Sequence, residues 1–321
     1  MHKPDILVAD IGGTNARFAL VSTDDLTTLN SVETLPTKGY ASLVEALDHY
    51  LKKHQISEVT AMTLGVAAPI IEGKAKFTNA SWVVDRAELA AHYCCGSVTL
   101  INDFEAIAIS LTKLAQSDLH PLGSTQLTFK SNAHFGVLGA GTGLGAAILL
   151  LRNDEPIPLG CEAGHTTFAP ESEQQQQILE YLHKAHKRIS YERVVSGMGI
   201  ENIYAALSPN HQKISAKDIF ARHQNQEDQI ASQAVSEFTQ ILGQFAGNFA
   251  LTTGCYDGIY LAGGVIAKQL PSIDALKFRQ AFENKGRHTE LMRTIPTVVI
   301  TNKQPGLLGA AIATKPPDSH G

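Results

Sequence analysis

Two glycine turns, each set between apolar runs, constrain this chain more than any other feature. Near the amino terminus, Asp10-Ile-Gly-Gly-Thr-Asn-Ala-Arg17 lies between Ile6-Leu-Val-Ala9 and Phe18-Ala-Leu-Val21. Farther on, Phe135-Gly-Val-Leu-Gly-Ala-Gly-Thr-Gly-Leu-Gly145 runs into Ala146-Ala-Ile-Leu-Leu-Leu151. Both read as strand, turn, strand. Glycine lets the backbone bend tightly and approach a ligand with no Cβ in the way, and the N–H groups of such a turn can converge on anionic oxygens. One turn alone leaves an ordinary hairpin as the alternative. Two, far apart in one chain, point to two halves that grip one polyphosphate from opposite sides. Asp10, at the end of the first strand, is placed to hold a metal ion through water, with the Thr14 hydroxyl as a further donor. Gly141 to Ala146 also fits the dinucleotide pattern G-x-G-x-x-A, but that pattern requires a helix after the turn and a strand pattern follows. No G-x-x-x-x-G-K-[ST] loop occurs, so phosphate binding here is not of the P-loop type.

The 321 residues give room for two domains with substantial cores. A net charge of −5, with no clustered lysine and arginine, argues against nucleic acid as a partner. Met1 to Asp5 lead straight into the first strand and no apolar run reaches the length of a membrane span, so a cytoplasmic protein without membrane partners is expected. Cys94, Cys95, Cys161 and Cys255 lack C-x-x-C spacing and are expected to be reduced and mostly buried. His183 and His186 are the nearest approach to a metal pair, on a predicted helix over 174–187, but no further ligands accompany them.

Ser42-Leu-Val-Glu45 has the form of a capping box, with Leu43, Leu47, Tyr50 and Leu51 at helical spacing. Residues 59–67 read as a buried strand, and Ser97 to Ile101 as another that ends at Asn102-Asp103 before a helical pattern over 104–114. Later come a long amphipathic helix over 228–252, a strand over 257–262 that runs into Gly263-Gly264, and a closing helix over 305–313. This order predicts an α/β architecture with parallel and antiparallel strands, in which ligands gather beyond the carboxyl ends of strands.

A nucleoside triphosphate held by the turns would need a group to position and deprotonate an acceptor hydroxyl. Asp103, at a strand's carboxyl end, suits that task, and the Asn102 amide can bind hydroxyls. Both residue types are also common helix caps, and that reading stays open. Gly160-Cys-Glu-Ala-Gly-His165 sets Glu162 and His165 among flexible residues, a pair able to read adjacent hydroxyls of a polyol. Glu192 by itself reads as a surface carboxylate.

Taken together, the motifs resemble the bacterial ATP-dependent glucokinases of the sugar-kinase and actin-like superfamily. The resemblance runs through the Asp10 to Arg17 opening, Thr78-Asn79 with Trp82, Ile101-Asn-Asp-Phe104, Gly139 to Gly145, Glu162-Ala-Gly-His165, Glu192-Arg193 with Ser196-Gly197, Leu261-Ala-Gly-Gly264 and Pro305-Gly-Leu-Leu-Gly309. It implies a two-domain, ribonuclease H-like ATPase fold with an interdomain cleft: a small α/β domain over 1–112, a large one over 113–302, and a final helix over 303–321 returning to the small domain. It further implies Asp103 as catalytic base and Asn79, Asn102, Asp103, Glu162, His165 and Glu192 as glucose ligands. ATP would lie against Ala9, Asp10, Ile11, Gly12, Gly13, Thr14, Gly141, Thr142, Gly143, Gly263 and Gly264, with Mg2+ held by Asp10 through water. Glucose and ATP are the implied partners, and a homodimer the implied assembly. Other hexoses as acceptors, a non-catalytic sugar sensor and an actin-like structural ATPase remain alternatives.

Two departures stand out. A related repressor and kinase group follows its Glu-x-Gly-His histidine with a cysteine-rich zinc motif and carries an amino-terminal DNA-binding helix pair. Here only Cys255 follows His165, so no structural zinc is expected, and the first strand starts at once. Ala163 stands where glycine is frequent in the family, which matters only if φ there must be positive.

Overall fold

The computed structural model describes residues 5–77 and 82–314. Asn79, one of the expected glucose ligands, lies outside the described residues. The chain divides into two compact units, one made of Met1–Ala115, Pro156–Gly160 and Asn302–Gly321, the other of Gln116–Glu155 and Cys161–Thr301. The division expected from the sequence has no counterpart to Pro156–Gly160.

In the first unit, β1 (Asp5–Ile11), β2 (Asn15–Ser22) and β3 (Asp25–Pro36) run antiparallel, followed by α1 (Leu43–Lys53), β4 (Val59–Val66), β5 (Ile70–Ile71), β6 (Lys74–Lys76), β7 (Val83–Asp85), α2 (Arg86–Tyr93), β8 (Ser97–Asn102) and α3 (Asp103–Ser110). The main sheet has the order β3-β2-β1-β4-β8, with β1, β4 and β8 mutually parallel. β1 is buried on both faces. Leu7, Ala9 and Ile11 pack with Tyr50, Met62 and Trp82, while Ile6 and Val8 pack on the opposite side with Leu307, Ala310 and Ala311. That two-sided burial is why the strand reads as an unbroken apolar run and not as an alternation. The Ser42 box is half formed: Ser42 Oγ accepts from Glu45 N, but the Glu45 carboxylate takes Ala41 N.

The second unit begins with β9 (Leu119–Pro121), and the long hairpin of β10 (Ala133–Ala140) and β11 (Leu144–Arg152) follows. Next come β12 (Glu155–Cys161), of which Pro156–Gly160 belongs to the first unit, then α4 (Glu173–His183), α5 (Gly197–Leu207), α6 (Ala216–Gln224), α7 (Gln229–Thr253), β13 (Gly258–Ala262), α8 (Gly264–Lys268), α9 (Ala275–Glu283), α10 (Thr289–Arg293) and β14 (Thr297–Ile300). The sheet order is β12-β11-β10-β13-β14-β9, with β10, β13 and β14 parallel. Phe238, Ile241, Leu242 and Phe245 turn one face of α7 into the core beneath this sheet. α4 stops at His183, short of the predicted Lys187, because apolar spacing ends at Leu182. His186 therefore lies past the helix, where its Nε2 accepts from Arg193 Nη1 at 3.0 Å. Of the cysteines, Cys95 and Cys255 are buried and Cys94 is exposed, and burial pushes the Cys255 thiol up to about 11.

The chain closes with α11 (Pro305–Ile312), whose first turn carries the expected proline and which packs against α3 and β1. Gly309 makes this contact possible. A Cβ there would overlap the Ala106 carbonyl oxygen of α3, so the two helices touch backbone to backbone.

Candidate active site

The two turns use the same internal bond and different supports. In the first, Gly12 N donates to Asn15 O at 2.9 Å; in the second, Gly141 N donates to Gly143 O at 2.9 Å. Neighbouring segments take the turn carbonyls: Thr37 N and Oγ donate to Thr14 O and Gly13 O, and Gly197 N donates to Gly141 O. Among the described residues no backbone bond engages the N–H groups of Gly13, Thr14, Thr142 or Gly143. Four donors are thus left for anionic oxygens, with both threonines exposed. Neither turn needs a positive φ at its glycines. What glycine provides at Gly141 is space, since nothing lies within 4 Å of where a Cβ would stand. The same openness holds at Gly264, whereas Gly263 is required by packing: its φ is 95°, and a Cβ would run into the Ala140 backbone. Ala9 and Ile11, expected beside ATP, are wholly buried in β1 and offer a ligand no surface.

Asp10 is the last residue but one of β1, next to the turn. Arg17, opposite it in the β1–β2 register, donates from Nη1 to Asp10 Oδ2 at 2.8 Å. Gly306 of α11 presses on the other side, where a Cβ would come within 3.0 Å of the Asp10 carboxyl carbon. Burial pushes the Asp10 carboxyl above its ordinary value against the opposing pull of Arg17, although the side chain keeps 21% exposure. This arrangement fits Mg2+ held through water. One carboxylate suffices for an ion that keeps several waters and leans on substrate phosphates, and no group of three His, Cys, Asp or Glu side chains gathers among the described residues.

Asn102 and Asp103 sit at the junction of β8 and α3. Asn102 is the N-cap: its Oδ1 accepts from Phe104 N at 2.9 Å and Glu105 N at 3.3 Å, and Glu105 Oε2 accepts from Asn102 N, completing a capping box. The capping reading of Asn102 therefore holds for its oxygen, and Nδ2 is the part that can meet a hydroxyl. Asp103 is the first helical residue, where the helix dipole favours a carboxylate. Glu105 is a residue the sequence reasoning missed. Its other oxygen, Oε1, accepts from Gly160 N at 3.1 Å, so one carboxylate ties the start of α3 to the segment just before Glu162. The Asn-x-x-Glu spacing of a capping box was the signal that could have found it.

Glu162 and His165 lie on a 3-10 turn, 3.8 Å apart, with side-chain exposures of 73% and 54%. Arg188 donates to the His165 carbonyl oxygen. Ala163 lies outside the positive-φ region, so alanine meets no backbone strain there. Gly164 is the position that must be glycine, since a Cβ would overlap the Leu144 carbonyl at the start of β11. Glu192 is no free surface carboxylate. Its Oε2 accepts from Leu144 N at 3.0 Å and would stand 2.5 Å from a Cβ on Gly143. The buried Ser196 Oγ donates to Glu192 O and accepts from Gly199 N, which caps α5.

Comparison with known proteins identifies the fold and the family. The fold is that of the sugar kinases of the actin-like ATPase class, shared with solved glucokinases and related kinases. The glucokinase family profile matches residues 7–316, and the chain belongs to the glucokinase family. It is 39% identical over 316 residues to a glucokinase of Colwellia psychrerythraea, covering 95% of this chain and 94% of that one. The crystal structure of a glucokinase from an Antarctic psychrotroph superposes with a TM-score of 0.84 at 30% identity, covering 96% of this chain and 98% of the other. A Streptomyces griseus glucokinase of the ROK family, solved with glucose and AMPPNP, shares the fold at a TM-score of 0.64 and 17% identity over 96% of this chain and 98% of its own.

Proposed function

We propose that the chain transfers the γ-phosphoryl group of ATP to the 6-hydroxyl of D-glucose, giving glucose 6-phosphate and ADP. The observation that carries this reading is 39% identity to a glucokinase over 95% of the chain. In this reading the glucose O6 attacks Pγ in line. The O6–Pγ bond forms as the bond from Pγ to the β,γ-bridging oxygen breaks, and Asp103 accepts the O6 proton. Asn102 through Nδ2, with Glu162, His165, Glu192 and Asn79, reads the sugar hydroxyls. The N–H groups of the two glycine turns and the Thr14 and Thr142 hydroxyls take phosphate oxygens, and Gly264 leaves the backbone open beside them. Asp10 would hold Mg2+ through water, and the ion would neutralise charge on the phosphates. A cytoplasmic homodimer serving glycolysis completes the reading. No helix among the described residues is long and apolar enough to cross a membrane.

An assay of ADP release across glucose, mannose, fructose and N-acetylglucosamine, with a no-sugar control, tests the activity. Glucose-dependent release is expected, and equal release with and without sugar would overturn the reading. Asp103→Asn is expected to lower kcat by about 10³-fold while the glucose Kd shifts by less than about threefold, since the proton acceptor acts in the transition state. Turnover near the wild-type rate would remove Asp103 from that role.

A further inference from the structure

The sugar-reading elements of the second unit converge on one residue of the nucleotide turn. Leu144, the first residue of β11 after Gly141-Thr-Gly143, has its N–H held by Glu192 Oε2 at 3.0 Å, and its carbonyl is the surface against which Gly164 of the Glu162–His165 turn is packed. The segment that begins at Glu192 is stitched to the same turn at its far end, where Gly197 N donates to Gly141 O at 2.9 Å. Ser196 between them donates to Glu192 O at 2.7 Å. The glycine turn is therefore clamped at both ends by one short stretch, residues 192–197.

We propose that Glu192 is a positioning residue for the nucleotide as well as a ligand for the sugar: one carboxylate oxygen fixes the glycine turn through Leu144 N, leaving the other for a hexose hydroxyl. This deepens the kinase reading and rests on it. A carboxylate that accepts an N–H bond makes a charge-assisted contact, and its loss frees the turn to rotate its N–H groups away from the phosphates. The Glu162–His165 turn meets Leu144 through Gly164, a backbone contact that depends on neither side chain. The nucleotide consequence thus separates Glu192 from its partners in sugar recognition.

The experiment measures AMPPNP binding with Mg2+ by calorimetry on the full chain without sugar, beside the KM for glucose in turnover. Glu192→Ala is expected to weaken AMPPNP by about tenfold, the order of one charged hydrogen bond, and Glu162→Ala by less than about twofold, while both raise the glucose KM. Two conservative variants separate positioning from damage. Glu192→Gln keeps the reach and an acceptor oxygen for Leu144 N, so AMPPNP affinity returns to within about threefold of wild type while the glucose KM stays high. Glu192→Asp keeps the charge but is one methylene shorter, so it behaves like the alanine variant toward AMPPNP. If Glu192→Ala fails to fold, the Gln and Asp pair alone decides. Equal AMPPNP affinity for Gln and Asp, or wild-type affinity in the alanine variant, would overturn the proposal. Failure of the kinase reading has a different signature: the wild type would show no hexose-dependent ADP release, whatever the AMPPNP isotherms give.

Discussion

The two halves of the chain build the same scaffold and equip it differently. In each sheet a hairpin with a glycine-threonine turn is followed by two parallel strands, giving β3-β2-β1-β4-β8 in the first and β12-β11-β10-β13-β14-β9 in the second, where antiparallel β9 is added at the edge. Each turn spends one glycine N–H on its own hairpin and leaves two N–H groups that no backbone bond engages among the described residues, beside an exposed threonine. There the likeness ends. The first turn carries its own anion, Asp10, paired with Arg17 and pressed by Gly306. The second has no carboxylate of its own and borrows Glu192, which lies 48 residues beyond Leu144. Repeating a scaffold fixes where backbone donors stand; it does not fix where charge stands. In the proposed reading, charge is what would decide which turn faces the metal ion and which is tied to sugar recognition.

The strongest way to break this comparison is to remove the prop unique to the first half. Gly309→Ala puts a Cβ into the Ala106 carbonyl oxygen, a collision with backbone that no rotamer change relieves. Overpacking of this kind costs about 3 kcal/mol or more, and because α3 begins at Asp103, loss of activity should track loss of structure. Thermal denaturation checks it. An unchanged Tm would show that α11 can slide off α3, and that the first turn does not depend on it.

A smaller effect compares the turns directly. Asp10→Ala removes the carboxylate of the first turn and is expected to lower kcat/KM for ATP about 10²-fold, roughly 2.7 kcal/mol of transition-state stabilisation. Thr142→Ala removes only one hydroxyl donor from the second turn and is expected to cost less than about tenfold. Measuring both against Mg2+ concentration sharpens the contrast, because only the Asp10 variant should require more metal. Equal losses with equal metal dependence would make the two turns chemically equivalent, contrary to the charge argument.

What could be read from sequence follows from the range of the interactions. The hairpins were legible because β1 and β2, and β10 and β11, are neighbours in the chain, so apolar runs and turn glycines sit side by side. The helix begun by Asn102 and the proline at the start of α11 were legible for the same local reason. The end of α4 was misjudged because neither glycine nor proline marks the stop after His183. The clamp on Leu144 was out of reach. Glu192 and Gly164 meet it across 48 and 20 residues, and no periodicity encodes such a meeting. Gly164 illustrates the limit well. The sequence drew attention to Ala163, whose backbone is unstrained, while the position that tolerates no side chain is its neighbour, for a reason visible only once β11 is in place.

The smallest predicted effect extends the comparison from the turns to the cores behind them. Each unit holds a carboxylate that burial pushes above its ordinary value: Asp10 in the first and Glu237, on α7, in the second. Asp10 has a guanidinium partner, whereas Glu237 Oε1 accepts from Gln240 Nε2 at 3.4 Å, its Oε2 is buried with no hydrogen-bond partner, and burial outweighs the opposing pulls of Gln175, Lys277 and Gln240. The folded state holds the Glu237 proton more tightly than the unfolded chain does. Stability is therefore lost as pH rises from the ordinary glutamate value of 4.5 through the raised folded value, and the full cost is present above it. Glu237→Gln keeps the shape and removes the charge. It should raise stability at pH 8 by on the order of 1 kcal/mol, about 2 °C in Tm, with the gain vanishing at pH 4, where the wild-type carboxyl is already protonated. Thermal melts of both proteins across that range check the sign. A gain that is equal at pH 4 and pH 8 would mean that the substitution acts through packing, and that Glu237 carries no buried charge for the second half to bear.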